Sequence, residues 1–255
     1  AGLPFHIHED LLAFMSVINK PIAIRSSSLL EDSLYQPFAG VYSTYMIPNI
    51  KSDERLCLQQ LSYAIKCVYA STFFKESKAY LEAISNIIDE EKMGIVIQEV
   101  CGTKYGNRFY PVISGVARSL NFYPISPEKP EDGIVNVALG LGKYIVEGGV
   151  NLRFSPKHPK KVLQLSSPDM ALRDTQKQFY ALNLEKDSFI PSTDDGINIL
   201  KLRINEAEKD HTLKYLASTY DYENNILRDG VNYDGKKLIT FSNILNHNVF
   251  PLAEI

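Results

Sequence analysis

Ile22-Ala-Ile-Arg25-Ser26-Ser27-Ser28-Leu-Leu-Glu31-Asp32-Ser33, continued by Pro37-Phe38-Ala39-Gly40-Val-Tyr-Ser-Thr44, is the stretch on which the reading of this chain turns. An apolar run of strand type ends on a guanidinium and a row of hydroxyls. A planar fork of donors suits phosphate oxygens, and hydroxyls with backbone N–H groups complete an anion cradle. The predicted strand covers 22–25, with the serines in the loop after it. Glu31 and Asp32 either orient the arginine or cap a following turn.

Around this stretch the composition is that of an ordinary folded chain. Of 255 residues, 45% are hydrophobic and 22% charged, and the net charge is −3. The balance argues against a general nucleic-acid binder. The apolar runs are too short to span a bilayer. Cys57, Cys67 and Cys101 show no CxxC spacing, which fits a reducing, cytoplasmic compartment rather than a disulfide framework. The opening Ala1-Gly-Leu-Pro-Phe-His6-Ile-His8 has no basic flank, so it is not read as a signal peptide. The expectation is a fragment or processed form of a longer protein. His6, His8, His158, His211 and His247 are scattered, and none is nominated as a phosphate acceptor.

The periodicity predicts a helix over 9–19 stopped by Pro21, a strand over 42–47, and a helix capped by Asp53. Leu58, Leu61, Ile65 and Val68 form the apolar face of that helix. A second helix is expected over about 74–90. Strands follow at 94–100, 109–117, 134–139 and 161–165, with a short helix within 142–150 and an exposed Pro-rich loop at 123–132. Beyond 167 the pattern weakens; residues 205–222 are read as helical, and no internal repeat is visible.

Three further segments carry chemistry. Ile95-Val-Ile-Gln98-Glu99-Val100-Cys101-Gly102 is an apolar strand broken by a polar pair. Ser114-Gly115-Val116 closes a strand candidate. Gly140-Leu-Gly142-Lys143-Tyr-Ile-Val-Glu147-Gly148-Gly149-Val-Asn151 is glycine-rich, with Lys143 and Glu147 one helical turn apart.

Taken together, Ile24-Arg25-Ser26-Ser27, Glu31-Asp32, Phe38-Ala39-Gly40, Ser114-Gly115-Val116 and the 140–151 segment resemble the nucleotide-binding domain of the phosphoenolpyruvate synthase and pyruvate phosphate dikinase family. The resemblance covers roughly residues 20–165. It implies an α+β fold of ATP-grasp type, two-lobed, with mixed or antiparallel sheets flanked by helices. The first lobe is expected over 1–100, the second over 101–167, and an extension over 168–255. It also implies an ATP site, in which Arg25, Ser26 and Ser27 hold phosphates. By the same resemblance, Gln98, Glu99, Val100 and Cys101 are expected to form a hinge around adenine, with Lys143 and Asn151 also at the nucleotide. Arg25 is the residue expected to act in catalysis.

Where the family carries a glutamate that helps hold Mg²⁺, this chain has Lys143. A cation cannot ligate Mg²⁺; Lys143 is expected to neutralise phosphate charge directly or to replace the metal in part, and Glu147, at i+4, either pairs with Lys143 or supplies the missing carboxylate as the candidate metal ligand. The family's upstream phosphate-binding lysine has no counterpart in residues 1–21, and the Phe-Thr-x-Asp continuation after Ser-Gly-Val is replaced by Ala117-Arg118-Ser119-Leu120-Asn121. The implied function is the ATP-binding part of a phosphotransferase. Its phosphoryl group would pass to a carrier histidine, and then to pyruvate or another acceptor, in further domains of the intact protein. No nucleic-acid or membrane partner is expected. The alternative is a degenerate ATP-grasp module that senses nucleotide or serves as a scaffold without turnover.

Overall fold

A computed structural model describes residues 2–28, 42–49, 53–75, 77–79, 93–185, 189–190 and 197–247. Glu31, Asp32, the Phe38-Ala39-Gly40 turn and most of the helix expected over 74–90 lie outside these residues. The chain divides into two compact units: Ala1–Phe109 with Leu182–Leu200, and Tyr110–Ala181 with Lys201–Ile255.

The first unit is built on helices α1 (Phe5–Val17) and α2 (Glu54–Ser71) and a three-stranded antiparallel sheet. The sheet comprises β1 (Ile22–Ser28), β2 (Tyr45–Ile47) and β3 (Met93–Glu99) in the order β2-β1-β3. Asp53 caps α2, its carboxylate accepting from Leu56 N at 3.0 Å. Spacings of three and four place Leu61, Ala64, Ile65 and Val68 on one buried stripe, packed with Ile22, Ile24, Ile47, Leu11 and Met15. Each fully buried Ile or Leu here contributes about 1.5–3 kcal/mol. Asp53→Ala removes the cap and is expected to lower stability by about 1 kcal/mol in a denaturant titration. The Asn49 amide donates to Ile18 O at 3.2 Å and Lys20 O at 2.8 Å, fixing the link into β1. The unit also holds a hairpin, β4 (Thr103–Tyr105) and β5 (Arg108–Tyr110). There β5 pairs with β9 (Gln178–Asn183) through Arg108 opposite Asn183 and Phe109 opposite Leu182.

The second unit contains two antiparallel sheets. One comprises β6 (Ser114–Arg118), β7 (Ile134–Ala138) and β8 (Leu152–Phe154), with β7 central. The other comprises β11 (Ala217–Asp221), β12 (Ile226–Asp229) and β13 (Lys236–Ile239), with β11 central. Short helices α3 (Lys143–Val146), α4 (Pro168–Asp174), α5 (Ile204–Lys209) and α6 (Ser242–Leu245) complete it, and β10 (Ile199–Arg203) runs into it. Phe154, Phe179, Tyr110, Leu139 and Leu216 are among its fully buried side chains. Under the second sheet, Ser218 Oγ lies 2.6 Å from Thr240 Oγ1 and 2.8 Å from Ser242 Oγ, and donates to Asp229 at 3.1 Å. Helices with antiparallel sheets make this an α+β fold.

Several expectations change. The serines after Arg25 lie in β1, which runs on to Ser28 because β3 pairs with it over seven positions. The first helix spans Phe5–Val17 rather than 9–19, and β2 starts at Tyr45. The strand expected over 109–117 is two strands, parted at Pro111, whose missing N–H interrupts a ladder. Leu163–Leu165 form a 3₁₀ turn where a strand was expected. Residues 205–222 hold a short helix, a 3₁₀ turn and β11 rather than one helix. The long-range pairings of β11 offset its weak local pattern. Among the described residues, no helix is long and apolar enough to cross a membrane.

Candidate functional site

Strand β1 alternates from Ile24 onward, Ala23 being buried as well. Ile22, Ile24, Ser26 and Ser28 are buried toward the helices, whereas Arg25 is exposed on the other face. Successive side chains of a strand point to opposite sides, so Ala23, Arg25 and Ser27 share a face. Antiparallel register puts Arg25 opposite Val96, Ser27 opposite Gly94 and Ala23 opposite Gln98. The exposed face of β1 and β3 therefore gathers Arg25, Ser27, Gly94, Val96 and Gln98. Val96 is 41% exposed, an apolar floor beside the guanidinium. Arg25 has no hydrogen-bond or ion-pair partner among the described residues.

Ser26 lies on the opposite, helix-packed face. So does Glu99, whose carboxylate meets Lys20 Nζ at 3.0 Å. Val100 is buried and its N–H donates to Pro21 O at 2.8 Å, so that donor is engaged. Cys101 is exposed with a free thiol. Among the described strands, β3 is an edge of its sheet, and no described strand takes the backbone donors and acceptors along its outer side. Of the nucleotide residues expected in this unit, the fold brings Arg25, Ser27 and Gln98 together and turns Ser26 and Glu99 away.

In the second unit the glycine-rich segment follows β7. Gly140 has φ +93°, and a Cβ there would stand 2.6 Å from Tyr180 O. Its carbonyl accepts from Ser114 Oγ at 2.7 Å, which gives the Ser-Gly-Val motif a structural task. Gln176 clamps the preceding residue: Leu139 N donates to its Oε1 at 2.8 Å, and its Nε2 donates to Leu139 O at 2.9 Å. Helix α3 then presents Lys143 and Glu147 with Nζ to Oε1 at 3.2 Å. Tyr180 donates its hydroxyl to the other Glu147 oxygen at 2.9 Å and stacks edge-on against Tyr144. Burial pushes the Tyr144 phenol up, against a backbone hydrogen bond that lowers it. Asn151 donates its amide to Gly149 O at 2.9 Å, holding the turn before β8.

Among the described residues, these donors do not by themselves make a Mg²⁺ site. Hard cations require several oxygen ligands, yet the carboxylate that α3 offers, Glu147, is already engaged by an ammonium and a phenol. No three His, Cys, Asp or Glu side chains gather among the described residues.

Gln176 and Tyr180, which shape this segment, escaped sequence reasoning. Each acts through a contact more than thirty residues away, and neither interrupts a recognisable pattern.

Residues 2–187 match the pyruvate phosphate dikinase AMP/ATP-binding domain family. A curated relative, an uncharacterized phosphotransferase YvkC of Bacillus subtilis (strain 168), is 33% identical over 131 residues, covering 51% of this chain and 14% of that protein. Another, a phosphoenolpyruvate synthase of Aeropyrum pernix, is 28% identical over 144 residues, covering 56% of this chain and 15% of that protein. The matched part is thus a small share of each relative. With residues 2–187 of its 255 matched, and with the arginine strand and glycine-rich turn both formed, this chain belongs to the pyruvate phosphate dikinase AMP/ATP-binding domain family.

Proposed function

We propose that this chain is an ATP-grasp-type nucleotide-binding domain whose phosphate anchor is Arg25, and that Glu147, paired with Lys143, holds no metal in it. The observation that carries this reading is the position of Arg25: exposed, unpartnered among the described residues, and on one face with Ser27, Gly94 and Gln98. A guanidinium held on a strand keeps its fork aimed at little cost in side-chain freedom. Gly94 leaves space beside it, and Ser27 adds a hydroxyl. Val96 and the outer edge of β3, with Gln98, would receive the base, which needs an apolar wall and backbone donors and acceptors. Phosphoryl transfer requires chiefly positioning and neutralisation of charge. These residues supply the positioning.

In the intact protein the phosphoryl group would go to a carrier histidine of another domain, and from there to pyruvate or another acceptor. The Lys143–Glu147 pair favours a second reading, nucleotide binding without turnover, because the site of the family's acidic residue here carries a cation.

Calorimetric titration with ATP, with and without Mg²⁺, tests the proposal. Binding is expected in both conditions, with a Mg²⁺ effect below about twofold, since the described residues offer the metal few ligands. Absence of binding in both would sink it. Lys143→Glu sets two carboxylates one turn apart. In that variant ATP binding is expected to weaken about tenfold without Mg²⁺ and to recover with it, as a charge-assisted contact is exchanged for a metal-bridged one. Glu147→Gln removes the carboxylate charge that faces Lys143 and is expected to tighten ATP binding by about threefold.

A further inference from the structure

A cavity of about 490 Å³ lies within the second unit, on the face of the β6-β7-β8 sheet away from Val137 and Leu152. Its floor is a cross-strand pair, Asn136 on β7 directly opposite Arg153 on β8. The 3₁₀ turn at Leu163–Leu165 and helix α4 form one wall, and the 121–128 loop lies on the other side.

The polar groups around this space are unequally engaged. Arg173 and Asp174 neutralise each other through two contacts of 2.8 and 3.0 Å. The Glu128 carboxylate accepts from Asn121 Nδ2 at 3.0 Å and Ile125 N at 3.1 Å, organising its own loop. Gln164 bridges Arg153 N, Asn151 O and Asp174 O. Arg153 is different. Its Nη2 is tied to Asn121 Oδ1 at 2.7 Å and Tyr123 O at 2.8 Å, which fixes the guanidinium. Nε and Nη1 find no acceptor among the described residues. The half-buried Asn136 amide and the Lys161 ammonium are likewise without partners there. Three unused donor groups thus line a cavity whose remaining walls, Ile134, Val150, Leu163 and Met170 among them, are apolar.

We propose that this cavity of the second unit is a further ligand site. It takes a small molecule with an apolar body and a singly charged carboxylate head. The volume falls within the range of small-molecule sites, about 300–1,000 Å³, and apolar walls with a few convergent donors are their usual lining. Arg153 offers the planar fork that a carboxylate matches, and Asn136 and Lys161 add donors. With Arg173 and Asp174 cancelled, Arg153 and Lys161 face the single charge of Glu128, an excess of one positive charge. That excess suits a monoanion better than a phosphate dianion or a triphosphate.

The test is calorimetric titration of the 255-residue chain with phenylacetate, benzyl alcohol and phenyl phosphate as probes. Phenylacetate is expected to bind about tenfold more tightly than the alcohol, the worth of a charge-assisted hydrogen-bonded contact, and more tightly than phenyl phosphate. Asn136→Asp and Lys161→Glu remove no contact within the described protein. Each is expected to weaken phenylacetate about tenfold while leaving the melting temperature unchanged. No binding of phenylacetate, equal affinity for the alcohol, a preference for the phosphate, unaltered affinity in both variants, or displacement of phenylacetate by ATP would each overturn the proposal.

Discussion

Arg25→Ala is expected to remove ATP binding from calorimetric detection, a loss of about 30- to 100-fold, while the melting temperature stays where it was. The magnitude follows from hydrogen bonds to charged groups, each worth about 1.5–3 kcal/mol. The unchanged stability follows from exposure and from the absence of an ion pair among the described residues; substitutions at such positions usually stay within about 0.5 kcal/mol. Arg25→Lys keeps the charge but loses the fork and should recover only part of the affinity.

The two faces of β1 sharpen the test. Ser27 lies beside Arg25, so Ser27→Ala is expected to weaken ATP by about tenfold or less, the worth of one hydrogen bond. Ser26 points into the helix-packed side, so Ser26→Ala should leave ATP binding unchanged. Equal effects of the two serines would contradict the face assignment. Undiminished binding in Arg25→Ala would move the phosphates to another part of the chain.

That distinction between Ser26 and Ser27 shows where the sequence stops being informative. The order of residue types points to β1 as the candidate anion-holding strand, but it places the run of hydroxyls in a loop. Serine has weak strand preference, and only the seven-position pairing with β3 makes these residues a strand. Once they are in a strand, alternation decides which hydroxyl is available. Gln98 and Glu99 divide in the same way, one on the open face and one with Lys20. Helix α2 was legible because its cap and its apolar stripe are both local. The glycine-rich segment was legible as a turn into a short helix. The Gln176 clamp and the Tyr180 contacts were not, because each joins residues distant in the chain. Strands β11 to β13 were missed for a related reason: their stability rests on pairing with one another and on a buried hydroxyl cluster, neither of which leaves an alternating apolar pattern.

The glycines of the 140–142 turn differ in what they do, and substituting each gives opposite results. Gly140→Ala is expected to destabilise the chain by about 3–5 kcal/mol, the range of severe backbone and packing conflicts. At a rate of about 2–4 °C per kcal/mol, that lowers the melting temperature by roughly 6–20 °C in scanning calorimetry. Two terms add. The left-handed backbone at φ +93° disfavours any side chain. The new Cβ would also stand 2.6 Å from Tyr180 O and 3.0 Å from Phe179 side-chain atoms. Relaxation is blocked, because Tyr180 O also accepts from Leu141 N at 2.9 Å and Phe179 is fully buried. Gly148 separates the two terms. It has φ +78° but nothing within 4 Å of an added Cβ, so Gly148→Ala should cost only about 1 kcal/mol. Gly142 is the informative contrast. Its backbone is ordinary right-handed helix, φ −57° and ψ −23°, and an added Cβ meets only Ser114 Cβ at 3.8 Å. The fold therefore tolerates Gly142→Ala, with a stability change within about 1 kcal/mol and most simply a gain, since alanine restricts the unfolded chain. A glycine the fold does not require, one residue before Lys143, is what a ligand approaching the backbone closely would select. ATP affinity should accordingly fall in Gly142→Ala while the melting temperature holds or rises. Unchanged affinity in that variant would detach the glycine-rich turn from nucleotide binding and leave Arg25 and its strand as the phosphate site alone.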